Sequence, residues 1–150
     1  MLTDAMKKQF NAAFDVLDAA IKSFTPEQWR SGSRPFNGPG RAAFHALVAA
    51  DFYATEERSV RTRFGKPIAE MDAAEVPAQK LALQYLPVVR DRTLAWIDSI
   101  GDAGFAAPWK DASSINGLER VAYAIRHLQH HTGEVCAYQK QCGLEPAPWK

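Results

Sequence analysis

The apolar residues near the start of the chain have the spacing of an amphipathic helix. Between positions 4 and 24 they recur every three or four residues, which places them on one helix face: Met6, Phe10, Ala13, Phe14, Leu17, Ala20, Ile21 and Phe24. The segment Thr25-Pro26-Glu27-Gln28 then has the pattern of a capping box with proline at the first helical position. We therefore predict a helix over 4–24 and a short helical turn ending near Trp29.

A loop is predicted over 31–40, and a second helix from Arg41 to about Arg63. The first half of this helix is apolar nearly all round, which indicates burial, and the second half is polar. One stripe of the helix combines a histidine with apolar residues and a terminal acid: His45, Val48, Ala49, Phe52 and Glu56. Glu56 lies about 16 Å along the helix from His45, so we predict that it is a solvated charge.

A third helix is predicted over 78–100, with a kink at Pro87 and a stop at Gly101. An irregular stretch over 102–114 follows. The fourth helix is predicted from about Ile115 to Cys142, capped by Asn116 with Glu119 or by Ser114. Its predicted apolar arc is Leu118, Val121, Ala122, Ile125, Leu128, Val135 and Cys136. The tail 145–150 is predicted to be extended, with Trp149 folding back onto the bundle.

Four long helices without a convincing strand predict an all-α four-helix bundle, in one domain that spans residues 1–150. The connector over 64–77 can reach at most about 46–50 Å. That distance is enough to cross the bundle, so a parallel second and third helix, joined by a crossover, is sterically possible.

The charge balance excludes several classes of partner. Eighteen basic and 17 acidic residues give a net charge of +1, and neither sign forms a long run. We therefore expect no nucleic-acid or membrane binding, and no apolar stretch approaches the roughly 20 residues of a membrane span. Residues 1–8 do not resemble a signal peptide, which favours a cytoplasmic protein. Cys136 and Cys142 are six residues apart on one predicted helix and are expected to be ordinary thiols.

Three of the four histidines lie in one short stretch of the fourth helix. His127 and His131 are separated by four residues, so they lie on the same helix face and can converge on one metal ion. His130 is predicted to point about 100° away from His131. His45 is the remaining histidine that could complete a three-nitrogen site. Such a site suits Zn²⁺, Ni²⁺ or Fe²⁺ and leaves a coordination position open.

The alternative is that the pair consists of two satisfied polar residues and that His45 is a hydrogen-bonded core histidine. With a crossover, His45 and His131 lie about 7 Å and 17 Å from the same end of the bundle. In a simple up-down bundle the two levels differ more, so the geometry favours the crossover. Tyr123 and Tyr138 lie near His127 on the predicted helix, where they either pack at the edge of the core or bind a ligand.

The late stretch His127-Leu-Gln-His130-His131-Thr-Gly133-Glu134 resembles the H-x-x-H-H-x-G-Q motif of the DinB-like superfamily, which includes YfiT-like metal-dependent hydrolases and thiol transferases. The early stretch from His45 through Asp51 to Glu56 and the Thr25–Trp29 turn are also similar to that family. The resemblance implies an up-down-down-up bundle, a divalent cation on His45, His127 and His131, and a homodimer. Glu134 departs from the family's usual Gln, which can change a helix–helix contact or the surroundings of the ligands.

The resemblance leads to two functional hypotheses. In the first, the protein is a metal-dependent enzyme, a transferase or hydrolase, that transfers a low-molecular-weight thiol to a small electrophile. In the second, it is a non-catalytic metal- or ligand-binding dimeric bundle of the stress-response type. The sequence assigns no catalytic residue beyond the metal ligands.

Overall fold

The computed structural model describes residues 1–32, 38–110 and 114–150. Its helices are α1 (Leu2–Ser23), α2 (Pro26–Trp29), α3 (Pro39–Thr55), α4 (Gln79–Ala106) and α5 (Gly117–Gln141). Two 3-10 turns, Arg58–Thr62 and Ile68–Glu70, lie between α3 and α4. Over these three ranges the only β-type pairing is an isolated bridge between Pro108 and Asn116. The predicted all-α bundle is therefore confirmed. Residues 33–37 and 111–113, which belong to the predicted loop and irregular stretch, lie outside the described residues.

The predictions for the first two helices are confirmed. The predicted apolar face of α1 is buried from Phe10 to Ile21. Both bonds of the capping box form: Gln28 donates its N–H to Thr25 (3.2 Å), and Thr25 donates its N–H to Gln28 (2.9 Å). The Trp29 ring is buried, and its Nε1–H donates to the Pro77 carbonyl (2.9 Å). This bond ties the end of α2 to the connector that leads into α4.

The prediction that the second helix continues to Arg63 is wrong. α3 ends at Thr55 because Glu56 adopts a left-handed conformation (φ 58°) and its N–H bonds back to the Phe52 carbonyl. The polar stretch that follows buries only Val60 and forms a 3-10 turn, since it has no apolar face to hold a longer helix against the bundle. Glu56 is also not a solvated charge, because it forms an ion pair with Lys110.

The α4 backbone breaks at Gly101 (φ 62°, ψ 170°), where the sequence predicts a stop, and not at Pro87, where it predicts a kink. Helical structure then resumes as far as Ala106, so the start of the predicted irregular stretch is wrong. The buried side chain of Phe105, which is 2% exposed, holds this last turn against the core.

The asparagine cap predicted for the fourth helix is confirmed, with Asn116 and Glu119 bonded reciprocally. Its predicted apolar arc is partly wrong, because Leu118 and Ala122 face solvent. The buried face of α5 contains Val121, Ala124, Leu128, Thr132, Val135 and Gln139. Two of these residues, Thr132 and Gln139, are polar.

The C-terminal tail lies along the bundle, but not through its tryptophan. Gln139 accepts a hydrogen bond from the Ala147 N–H (2.9 Å), and Lys150 pairs with Asp15 of α1 (3.3 Å). Trp149 is 79% exposed, so the prediction that this ring folds onto the bundle is wrong. Leu144 and Ala147 also pack against the core, so the tail is held by both polar and apolar contacts.

Each of α1 and α3 packs against both α4 and α5. At one end of the bundle, Thr3 of α1 donates its N–H to Asp102 of α4 (2.7 Å). Farther along α1, Asp15 accepts a hydrogen bond from Arg90 (2.9 Å). The residue numbers rise on one helix as they fall on the other, so α1 and α4 are antiparallel.

α3 and α5 are also antiparallel. His45, near the start of α3, lies beside His131, with ring centroids 4.5 Å apart. Two turns later, Tyr53 lies beside Tyr123, which precedes His131 in the sequence (5.5 Å).

α1 and α5 run in the same direction. Ala13 and Gln129 line one small cleft, and ten residues farther along both helices Gln139 donates to Ser23 (2.9 Å). From these three registers we infer that α3 and α4 also run in the same direction. Among the described helices, none combines the length and the apolar composition that crossing a bilayer requires.

Candidate metal centre

The structure brings His45, His127 and His131 together between α3 and α5. The ring centroids of His45 and His131 are 4.5 Å apart, those of His127 and His131 4.6 Å, and those of His45 and His127 5.3 Å. All three side chains are half-buried. The i, i+4 spacing on α5 aligns two of the rings, and the antiparallel packing of α3 brings the third to the same level.

The three residues fit a divalent cation. One nitrogen from each ring lies within 4.8 Å of the others. Ligand nitrogens of a tetrahedral zinc site, with bonds of about 2.1 Å, lie about 3.4 Å apart, so small side-chain rotations would close the site. In addition, Nδ1 of His127 is buried and has no hydrogen-bond partner among the described residues. Such a group costs about 1–3 kcal/mol, and a cation bound at this nitrogen would compensate that cost.

Burial keeps two of the imidazoles in the neutral form that a metal requires. Desolvation, followed by the charges of His131 and His45, lowers the pKa of His127 to about 4. Desolvation also lowers the pKa of His45, and the charges of His131 and Arg41 act in the same direction. The Glu134 carboxylate opposes both shifts but does not reverse them. Metal binding at these two rings therefore displaces no proton at neutral pH.

Glu134 orients the third ring. Its Oε2 lies 2.7 Å from Nδ1 of His131, and because a carboxylate only accepts, the ring nitrogen donates. The proton on Nδ1 leaves the Nε2 lone pair of His131 available to a metal ion. Carboxylates that accept from metal-ligating histidines commonly fix the tautomer and raise ligand basicity. The residue that departs from the family motif thus acts on His131 within α5, not at a helix–helix contact.

A second group of possible ligands shares one of these histidines. His130, His131 and Glu134 also have ligand atoms within 4.8 Å of one another. The His130 side chain is 65% exposed, as predicted from its position on the helix, and the whole group lies on a single helix. The group of His45, His127 and His131 is better preorganised, because its half-buried rings are held by packing between two helices.

Two tyrosines line the His127 side of the site. Tyr123 stacks on His127 (6.3 Å, 22° between planes), and Tyr53 meets the same ring edge-on at 5.6 Å. Burial, together with a hydrogen bond to Tyr123, raises the pKa of Tyr53 to about 12, so this phenol stays protonated. The sequence drew attention to Tyr123 but missed Tyr53. Tyr138, the other tyrosine singled out, is half-buried, and burial and then the Glu134 charge raise its pKa.

A cleft of about 380 Å³ opens beside His45 and His127. Four residues of the stripe predicted on the second helix form one wall of this cleft, and Arg61 and the Pro67–Glu70 segment form the opposite wall. The residues that line the cleft are His45, Val48, Ala49, Phe52, Tyr53, Arg61, Pro67, Ile68, Ala69, Glu70 and His127. A smaller cleft of about 100 Å³ reaches His131 and is lined by Arg41. No sequence pattern indicated that the connector residues form part of this cleft.

A buried carboxylate holds α3 and α4 together behind the site. Asp51 is completely buried and accepts hydrogen bonds from Nη1 of Arg92 (3.0 and 2.9 Å) and from the Tyr85 hydroxyl. Burial, and then the bond to Asp51, raises the pKa of Tyr85. Asp51 belongs to the early motif, and its contacts show that its role is to fix α3, the helix that carries His45.

A comparison with protein families identifies one that covers most of the chain. The model of the family described as the DinB superfamily matches residues 9–135, a range that contains all three histidines and Glu134. A search of curated proteins finds no significant match.

Proposed function

The chain belongs to the DinB superfamily, and on this premise we propose that it is a metal-dependent enzyme that transfers a low-molecular-weight thiol to a small electrophilic molecule. Its divalent cation is held by His45, His127 and His131. The observation that carries the proposal is the convergence of these three rings at the edge of a cleft of about 380 Å³. A site with three protein nitrogens leaves room in the coordination sphere for a further ligand.

A cation held by three imidazoles supplies a Lewis-acidic position at which a thiol is deprotonated near neutral pH. The protein contributes the setting. His45 and His127 remain neutral, and Glu134 fixes the tautomer of His131. Tyr53 retains its proton and packs edge-on against His127 at this end of the cleft.

In the transfer, the thiol sulfur forms a bond to the electrophilic carbon and the thiol proton passes to solvent. The electron pair displaced from that carbon leaves with a leaving group. If the electrophile is an activated double bond, the electron pair of the broken π bond instead takes up a proton from solvent. Phe52 and Ile68 give the cleft an apolar wall against which the electrophile can pack.

A thiol-consumption assay tests the proposal. The protein is loaded with Zn²⁺ or Ni²⁺ and incubated with cysteine or glutathione and a panel of epoxides, haloalkyl carbonyl compounds and α,β-unsaturated carbonyl compounds. We expect metal-dependent consumption of thiol with at least one of these electrophiles, and loss of that rate after chelation. A protein that binds the metal but accelerates none of the reactions would instead be a non-catalytic binding protein. A rate that survives complete removal of the metal would contradict the proposed mechanism.

Metal stabilisation should persist to lower pH than an ordinary histidine site allows. Protons compete with the metal as the pH falls through the pKa of each ligand, and a free imidazole titrates near pH 6.5. Because the pKa of His127 is about 4 and that of His45 lies below the ordinary value, His127 stays neutral at pH 6 and His45 binds a proton there less readily than a free imidazole does. If all three ligands had the pKa of a free imidazole, the stabilisation by metal would instead shrink steeply below about pH 6.

Thermal unfolding with and without Zn²⁺ between pH 7.5 and pH 4.5 measures this effect. At a hundredfold excess over Kd, the metal should add about 2.7 kcal/mol, or about 5–10 °C in melting temperature. We expect much of this gain to remain at pH 6 and to disappear as the pH approaches 4.5. A gain that is already absent at pH 6 would contradict the low pKa values.

A further inference from the structure

We infer that the cleft beside the three histidines binds a small molecule with an apolar body and an anionic group, and that Arg61 holds the anionic group. The inference deepens the proposed function by naming the class of the electrophile, an electrophilic carboxylic acid or similar monoanion. The inference rests on the proposed function in one respect: the ligand is taken to react at the end of the cleft that contains the histidines.

The cleft walls suit an apolar body. Val48, Ala49 and Phe52 project from one face of α3, and Pro67 and Ile68 of the connector line the same cleft. Ile68 is itself 3% exposed, so the connector wall is anchored in the core. A volume of about 380 Å³ lies at the lower end of the roughly 300–1,000 Å³ of small-molecule sites. The cleft therefore fits a compact ligand whose surface is mostly hydrocarbon.

Arg61 is the positive charge among the residues that line this cleft. Its guanidinium lies over the Phe52 ring, 4.2 Å from the centroid. Within the described ranges, no carboxylate forms an ion pair with it. Two arginines of α4 contrast with it, because Arg90 pairs with Asp15 and Arg92 with Asp51. A guanidinium presents a planar fork of N–H groups that binds a carboxylate through two hydrogen bonds.

Glu70 lines the same cleft with the opposite charge. This carboxylate already interacts with another group of the chain, whereas Arg61 lies over the Phe52 ring and near the neutral Tyr53 phenol. We therefore assign ligand recognition to Arg61, and we expect Glu70 to weaken anion binding by repulsion. A cationic ligand recognised by Glu70 is the alternative that the experiment must separate.

The test compares three ligands of the same shape and different charge: 3-phenylpropanoate, 3-phenylpropanamide and 3-phenylpropylamine. Their dissociation constants are measured by NMR titration of the full chain, as the metal-free and the Zn²⁺-loaded protein. We expect the acid to bind about tenfold more tightly than the amide in both states, since charge-assisted bonds are the stronger ones. The difference should shrink at high ionic strength, because Arg61 is exposed to solvent.

Three variants connect this selectivity to specific residues. Arg61→Gln should bring the affinity for the acid down to that for the amide and leave the amide unchanged. Glu70→Gln should strengthen binding of the acid. Arg63→Gln is the matched control, because Arg63 also lies over an aromatic ring, that of Tyr85 (5.0 Å), but does not line this cleft. It should leave all three affinities unchanged.

Equal binding of acid and amide, or tighter binding of the amine, would overturn the inference. It would also be overturned if the acid bound only to the zinc-loaded protein and did so equally well after Arg61→Gln, because the metal would then hold the carboxylate. A chain that selects the acid through Arg61 but consumes no thiol would leave the inference standing and remove only the proposed reaction.

Discussion

Replacing Asp51 by alanine should lower the free energy of unfolding by about 3 kcal/mol, because the change removes the acceptor of a buried phenol and the ion-pair partner of an arginine. Asp51 is 0% exposed, and the Tyr85 residue that donates to it is 4% exposed. The phenol would be left buried without an acceptor, which is costly. Arg92 would lose its two bonds to Asp51, but its side chain is 40% exposed and can turn to solvent, so we expect the lower end of the range for broken buried pairs.

Urea denaturation followed by circular dichroism measures this loss. In a chain of 150 residues it corresponds to a decrease of about 6–12 °C in melting temperature. Asp91→Ala, on the exposed side of the same α4, is the control and should change stability by no more than about 0.5 kcal/mol. A loss below about 1 kcal/mol for Asp51→Ala would show that the Asp51 contacts do not hold α3 to α4 as described.

His131→Ala should abolish metal-dependent activity and reduce metal affinity by at least about a hundredfold, beyond the usual cost of removing only a supporting residue. Of the three rings, that of His131 has the shortest distances to the other two, 4.5 and 4.6 Å, and Glu134 holds it in one tautomer. The helical circular dichroism should hardly change, because the side chain is only half-buried and lies at the edge of the core. Isothermal titration with Zn²⁺ and the thiol-consumption assay give the two readouts.

His130→Ala is the matched control for this experiment. The neighbouring histidine is on the same helix, is largely exposed and points away from His45. Its removal should leave the affinity for Zn²⁺ within about twofold of the original, consistent with a surface substitution. If His130→Ala cost as much as His131→Ala, the metal would be held by the group of His130, His131 and Glu134 on α5 alone.

The helices and two of the three histidines could be predicted because local periodicity encodes them. The i, i+4 spacing of His127 and His131 places both rings on one face of α5 wherever that helix packs. The burial of Gln139 could not be predicted in this way. Its polar side chain is satisfied by Ser23 and the tail backbone, and these partners become neighbours only after the bundle has formed.

The same distinction explains the errors around the cleft. The polar composition after Thr55 does not indicate that the Glu56 backbone adopts a left-handed conformation and ends α3. That turn allows the connector to fold back, so that Arg61 and Ile68 line the same cleft as His45. Asp51 likewise belongs to a recognisable motif, but its partners Tyr85 and Arg92 are supplied by another helix. Long-range packing, not helical periodicity, therefore determines which connector residues line the cleft beside His45.

The central claim is that His45, His127 and His131 hold one divalent cation, and the X-ray absorption spectrum of the zinc-loaded protein tests it most directly. The claim predicts one Zn²⁺ per chain, with three imidazole nitrogens at about 2.0–2.1 Å, and loss of one imidazole or of the bound metal in His45→Ala. A spectrum with two imidazoles and a carboxylate oxygen that is unchanged in His45→Ala would contradict the claim, and so would a protein that binds no zinc.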